Sequence, residues 1–438
     1  MQQKCGKMRN LVLFGFLFVI LVLPSSAVFA EPSEIWINTF GGSGDDEAHS
    51  VKVSSSGYAF VGITNSSGLG QNDVLLIKTD FYGSMEWNQT YGGFYNDLGY
   101  SLVTTPDDGY ALAGSTSSFG AGSADFWLIK VDSFGTMEWN KTYGTQKYDS
   151  CRSLVATGDS GYALLGYSTN VTSDDNRQRF RLGDSDIWLI KVDSLGNMIW
   201  NKTYGGVGSD SVSTIIETAD GGFVLGCSTS SFGAGSADFW LIKVDSFGTM
   251  EWNKTYGGLG IEYANSLVVA DDGGYAMTGS TSTFGNGSAD VWLVKVNSLG
   301  NLEWNRTYGT PRADYCDSIV ISKEGGYTLA CITQPPTFGD GEFWLIEVDS
   351  LGSLKLNQTY GTSAHHSHTS LLRTTEDNYI LGGSTRDTWG LRDFWLVEIG
   401  ESNTGSEISM LILPPILVII FLFVFLIYRR ASQSYSIK

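Results

Sequence analysis

One phrase, W-N-x-T-Y-G, returns with small changes along most of the chain. Its tryptophan slot is filled by Trp36, Trp87, Trp139, Trp200, Trp252, Trp304 and then Leu356, at steps of 51, 52, 61, 52, 52 and 52 residues. A second phrase, D-F-W-L-I-K-V-D, keeps the same period, opening at Asp73, Asp125, Asp186, Asp238, Asp290, Glu342 and Asp393. A chain that repeats at this interval is an array of one supersecondary unit, so its architecture follows from the unit and the number of copies.

Each unit reads as four short strands. In the second unit these are Ser101–Thr105, Tyr110–Thr116, Phe126–Val131 and Met137–Tyr143. The turn Pro106–Gly109, the glycine-rich loop Phe119–Ala124 and the turn Asp132–Gly135 separate them. Short β-rich runs at even spacing with Gly/Asp turns make an all-β repeat, and four antiparallel strands in about fifty residues is one propeller blade. Helical periodicity is absent, which excludes a helical solenoid. The chain opens with Ile35–Phe40, which matches a fourth strand, and its last repeat stops at a third, Asp393–Ile399. The first segment is therefore expected to complete the last blade, giving an all-β, seven-bladed propeller closed by its N-terminal strand. Twelve of the 13 tryptophans fall in two repeat slots, which reads as packing between blades rather than a sugar-binding stripe.

The strings TFGGSGDD (Thr39–Asp46), DDGYALAG (Asp107–Gly114) and DFWLIK (Asp125–Lys130) resemble the SBBP-type β-propeller repeats of prokaryotic surface proteins. The resemblance runs from about Glu31 to Gly400, and T-Y-G-G here lacks the extra apolar residue often found before the glycine pair. It implies a propeller on a cell surface and carries no general activity.

The chain ends imply export. Lys4, Lys7 and Arg9 precede an apolar run, Leu11–Leu23, and Val28-Phe29-Ala30 supplies a cleavage site, so residues 1–30 read as a signal peptide. After the propeller, 31–400, and a linker, 401–407, the apolar run 408–428 is long enough to span a bilayer. Arg429 and Arg430 then mark the tail, 429–438, as cytoplasmic, which places the propeller outside the cell. All 46 acidic residues but only 21 of the 27 basic ones lie between Glu31 and Glu407. That balance opposes nucleic-acid binding, and the expected partners are the membrane and another surface protein or a glycan.

Ser115–Gly144 is identical to Ser228–Gly257, so any site must come from positions where the units differ. Differences collect in the loops between strands two and three: Arg177, Arg179 and Arg181 in the third unit, Pro335-Pro336 in the sixth and Trp389 in the seventh. These loops share one face with the inter-blade loops, and that face is the candidate binding surface. One inter-blade slot is acidic in six units (Asp46, Asp97, Asp149, Asp210, Glu262 and Asp314) and holds His366 in the seventh. A cation ring is one reading. Repetition in every unit favours the other, a carboxylate accepting backbone N–H bonds within its own loop. His49, His365, His366 and His368 flank the seventh blade, and clustered imidazoles near Asp46 could bind zinc or another divalent transition metal as a cofactor. Cys316 and Cys331 sit on the first and second strands of one hairpin, near enough to pair as a disulfide in an oxidising exterior. Sequons stand at Asn65, Asn88, Asn140, Asn170, Asn201, Asn253, Asn286, Asn305 and Asn357, six of them in one strand-four slot. No nucleophile elbow or phosphate loop occurs, so a binding or structural module is favoured over its rival, an exported carbohydrate-active hydrolase or lyase on the same scaffold.

Overall fold

The computed structural model describes residues 33–169, 185–334, 341–360, 366–386 and 390–400, with backbone only at 366–369. The expected leader (1–30), linker, span and tail (401–438), together with Arg177, Arg179, Arg181, Asn170, Pro335, Pro336, Trp389 and His365, lie outside these residues. Among the described residues there are 28 strands in seven four-stranded sheets and no helix that could cross a membrane. Blade two shows the plan: β6 (Asp97–Thr104), β7 (Tyr110–Thr116), β8 (Asp125–Val131) and β9 (Met137–Tyr143), each antiparallel to the one before. The inner strands of neighbouring blades pack on one another around the whole ring. The fourth strands form the solvated outer edge.

The ring closes as the register predicts. β1 (Ser33–Phe40) pairs antiparallel with β28 (Arg392–Gly400), so the seventh sheet takes its outer strand from the start of the chain and its inner three from the end. Side chains then tie blade seven to blade one. Ala48 N–H donates to Ser384 Oγ at 3.2 Å, Val51 N–H donates to Ser370 Oγ at 3.3 Å, and Arg392 pairs with Glu47.

The core lies between blades. The strand-three tryptophans are buried, and each apolar cluster draws on consecutive sheets: Phe126 of blade two meets Trp188 of blade three with ring centroids 4.9 Å apart. Truncating such a ring costs about 3–5 kcal/mol.

The repeated phrase itself is an outer-edge latch. Its tryptophan lies against the glycine of the next blade's turn between strands three and four, as Trp87 does at Gly135, whose φ of 79° requires glycine. Its tyrosine hydroxyl donates to that glycine's carbonyl: Tyr91 to Gly135 at 2.6 Å, Tyr143 to Gly196 at 2.6 Å and Tyr204 to Gly248 at 2.7 Å. Its asparagine accepts the strand-three indole N–H of its own blade, as in Trp127 to Asn140 at 3.1 Å. In β1 the tyrosine slot is Phe40, and Asn38 donates to Gly83 O instead, at 3.1 Å.

Two expectations need correction. The inner strand of blade two begins at Asp97, four residues before Ser101, because a β-bulge at Tyr100 breaks the alternation from which a strand is read. The Cys316–Cys331 disulfide is not formed: the two residues are direct cross-strand partners but both are free and buried, and the Cys316 thiol is turned to Ala330 O at 3.3 Å.

Candidate functional site

The acidic slot lies at the first or second residue of six inner strands, buried, with one carboxylate oxygen committed to its own loop, while Oδ1 of Asp46, Asp149 and Asp314 is buried without a hydrogen bond. Asp97 Oδ2 accepts Gly93 N–H at 2.7 Å and Ser118 Oγ–H at 2.7 Å, while Thr116 donates to Oδ1. Asp46 takes Gly42 N–H at 2.9 Å, Asp149 takes Thr145 N–H at 2.7 Å, and Asp210 takes Gly206 N–H at 3.1 Å. Glu262 and Asp314 do the same with Gly258 and Thr310, at 2.8 and 2.6 Å. Each carboxylate closes the loop that leads into its strand.

A second carboxylate stands beside each of these, at the start of strand three of the preceding blade. Asp125 Oδ2 accepts the Ala121 and Gly122 N–H groups at 2.8 and 3.2 Å. Burial, reinforced by the neighbouring Asp149, raises its pKa, and Asp73, Asp238 and Asp290 are raised in the same way beside Asp97, Glu262 and Asp314. The glycine of T-Y-G passes between the two acids: a Cβ on Gly144 would overlap the Asp125 carboxylate.

The strand-four sequons are exposed, and their side-chain carbonyls at Asn140, Asn201, Asn253, Asn305 and Asn357 accept the tryptophan indoles. Asn88 lacks that donor, since Leu75 stands in the tryptophan slot of blade one. Asn65 and Asn286 are exposed loop residues, and the Asn65 carbonyl accepts Asp45 N–H at 2.6 Å. Among the described residues no three His, Cys, Asp or Glu side chains converge on a metal position. His366 opens β26 (His366–Arg373) and His368 lies within it, both described by backbone alone; His49 lies away from the loop tips, in the inner strand of blade one.

The inner strands carry what the loops did not reveal. Every one has a register shift at the same height, which sets one residue outside the ladder register in six blades: His49, Tyr100, Arg152, Ser213, Asn265 and Asp317. A bulge re-aims its side chain and bends its strand. The residue after it is Ser or Thr in these six blades, and in several it stitches the ring: Ser101 Oγ accepts Leu154 N–H at 3.1 Å, and Ser153 Oγ accepts Ile215 N–H at 3.2 Å. The scaffold is thus constant while the bulged residue differs in all six.

In blades one to three these residues form an arc along the channel wall. The His49 and Tyr100 ring centroids are 5.0 Å apart, and the Arg152 guanidinium lies 3.9 Å from the Tyr100 centroid. Arg152 also donates to Tyr167 Oη at 3.1 Å, and Tyr148 stacks on Tyr167 at 6.4 Å. Burial raises the Tyr100 pKa and pushes Tyr148 up to about 12, so both phenols stay protonated at neutral pH. Tyr148, Arg152 and Tyr167 all belong to blade three, whose longer two–three loop follows directly on Thr169. The signal was present in the sequence: aligning the units on the acidic slot and reading three residues on exposes it.

No family model matches the chain. An alignment 256 residues long is 25% identical to the regulatory protein FlaEY of Caulobacter vibrioides, and the match spans 50% of this chain but only 26% of that protein's length. Among solved structures, the WD40 domain of Neurospora crassa Pan2 aligns over 84% of this chain and 95% of its own, at 10% identity and a TM-score of 0.49. A protein of unknown function from Dyadobacter fermentans aligns over 84% of this chain and 98% of its own, at 8% identity and a TM-score of 0.49. The NanB sialidase of Streptococcus pneumoniae aligns over 83% of this chain and 94% of its own, at 8% identity and a TM-score of 0.45. The seven-bladed architecture rests on the strand pairing itself.

Proposed function

We propose that the chain is a cell-surface binding module: a seven-bladed propeller held outside the cell by one C-terminal membrane-spanning helix, contacting a surface protein or glycan through its loop face and channel mouth. The observation that carries this reading is the ring of bulges, in which a uniform scaffold presents a different side chain from each of six blades. Uniform residues serve the scaffold, and unlike ones are what a ligand can distinguish. The arc from His49 to Tyr167 offers a cation, aromatic faces and hydroxyl groups, which suit binding. The signal-like start, the apolar run 408–428 with Arg429 and Arg430 behind it, and the likeness to SBBP-type surface repeats support the membrane placement.

The test is a screen of the full-length chain, reconstituted in lipid nanodiscs, against cell-wall glycans and surface proteins. Saturable binding that weakens in Tyr100→Ala and persists in Lys254→Ala, on the outer edge, is the expected result. Failure to bind any of them, or equal sensitivity to both changes, would sink the reading.

A further inference from the structure

One bulged residue carries a charge that no described carboxylate meets. Among the described residues Arg152 has no carboxylate partner, although the chain holds 46 acidic residues against 27 basic ones. Its surroundings are aromatic: Tyr100 at 3.9 Å and Tyr167 at 5.6 Å from ring centroid to guanidinium. The bond to Tyr167 uses one of the five N–H donors of a guanidinium. A guanidinium held against aromatic faces is weakly hydrated, permanently charged and fixed in orientation. On one flank the aromatic wall continues through His49 and Tyr148. On the other, the next bulged residue is Ser213, whose hydroxyl is turned away to Gly226 O at 2.8 Å.

We propose that Arg152, with Tyr100, Tyr148 and Tyr167, forms a subsite for the carboxylate of an acidic sugar, a uronic acid unit within a glycan. This rests on the binding-module reading and names the ligand class of the same face. A planar carboxylate matches the guanidinium fork with two parallel hydrogen bonds. A pyranose ring presents C–H faces that pack on tyrosine, and its hydroxyls can meet neutral phenols. The acidic chain repels a dense polyanion at long range, so the fitting ligand is mostly neutral and polar with isolated single charges.

The test is calorimetric titration of the full-length chain in zwitterionic nanodiscs with a trisaccharide holding one galacturonic acid unit beside two neutral galactoses and, separately, with neutral tri-galactose. The acid should bind saturably and the neutral trimer at least ~tenfold more weakly, the worth of one charge-assisted fork. Arg152→Gln should weaken the acid by at least ~tenfold, and Arg152→Lys by less, since it keeps the charge and loses the fork. Tyr167→Phe, which removes only the hydroxyl that steadies the guanidinium, should lower affinity a few-fold. All three variants should melt with the parent, which separates a binding effect from misfolding. Equal affinity for the two trimers, full affinity in Arg152→Gln, or no saturable binding of the acid would overturn the subsite. If other glycans or proteins bind the loop face without regard to Arg152, the subsite fails and the binding module stands.

Discussion

The outer and inner edges of the blades use their residues in opposite ways. At the outer edge the same tryptophan, asparagine, tyrosine and glycine recur, and each is consumed by a contact: an indole against a glycine, a hydroxyl to a carbonyl, an amide to an indole. At the inner edge the bulge recurs but its side chain does not, running from His49 through Tyr100 and Arg152 to Ser213, Asn265 and Asp317. In a ring of copies, what every copy shares is what holding the ring together demands. What one copy alone has is free to be used, and that contrast is open to experiment.

The largest effect should come from removing an outer edge altogether. Deleting Ser33–Phe40 strips β1 from β28 and leaves the closing blade with an unpaired edge strand. Loss of cooperative folding, or a melting temperature lower by ten degrees or more together with self-association, is expected in calorimetry and light scattering. An unchanged, monomeric melt would show that the ring does not depend on this strand. Next comes Gly144→Ala, whose Cβ would collide with the Asp125 carboxylate; overpacking of that kind costs about 1–3 kcal/mol. The same change at Gly273, where a Cβ meets nothing within 4 Å, isolates the collision from backbone strain, since its φ of 78° adds strain alone.

A sharper cut sets single hydroxyls at the two edges against each other. Tyr143→Phe removes the buried bond to Gly196 O and leaves that carbonyl unmet, at a cost of about 1–2 kcal/mol in denaturant unfolding. Tyr167→Phe at the inner edge removes a bond to a part-buried arginine that keeps its contact with the Tyr100 ring, with an expected cost below about 1 kcal/mol. If the inner-edge change costs as much stability as the outer one, the division between holding and binding residues fails.

The division also explains what the sequence revealed. Blade number, strand order and closure were legible because they depend on spacing and on which strand type begins and ends the chain. The roles of Tyr143 and Asn140 were not legible, because the partner of Tyr143 is 53 residues away in the next blade and Asn140 stood out only as one of six sequons in a repeated strand-four slot. The arc was hidden for a related reason. His49, Tyr100 and Arg152 are about fifty residues apart, and only ring closure plus a shared bulge sets them side by side. The loops drew attention through their length, whereas the inner strands differ by substitution at constant length. Blade six shows how such exchange can stay structural. Its strand-three Lys is replaced by Glu347 and its strand-four Glu by Lys355, so the charges have changed places.

The smallest expected effect is a pH signature of the repeated carboxylates, and it has opposite signs at the two faces. At the turn face Asp107 is held at about 2 by hydrogen bonds from Lys130 and Thr105. Asp159, despite the cost of its partial burial, is also held at about 2 by Lys191. A depressed carboxylate contributes stability that is complete above its unfolded value, near 3.8, and lost as pH falls through the folded value. The pairs are more than half exposed on the acid side, so screening keeps each well below about 1 kcal/mol. At the loop face Asp73, Asp125, Asp238 and Asp290 are raised by burial, and the sign reverses: holding them ionised costs stability at neutral pH, and protonation relieves that cost as pH falls through their folded values. On acidification from neutrality the melting temperature should therefore rise slightly before it falls, with the loss confined below about pH 4. Adding salt should shrink the turn-face loss and leave the buried loop-face gain nearly intact, because exposed pairs are screened and buried ones are not. Asp107→Asn should remove part of the acid-side loss without touching the earlier rise. A melting temperature that falls steadily from pH 7 would mean that the loop-face acids are not held against their charge, and that the junction glycines pass between carboxylates already fully satisfied.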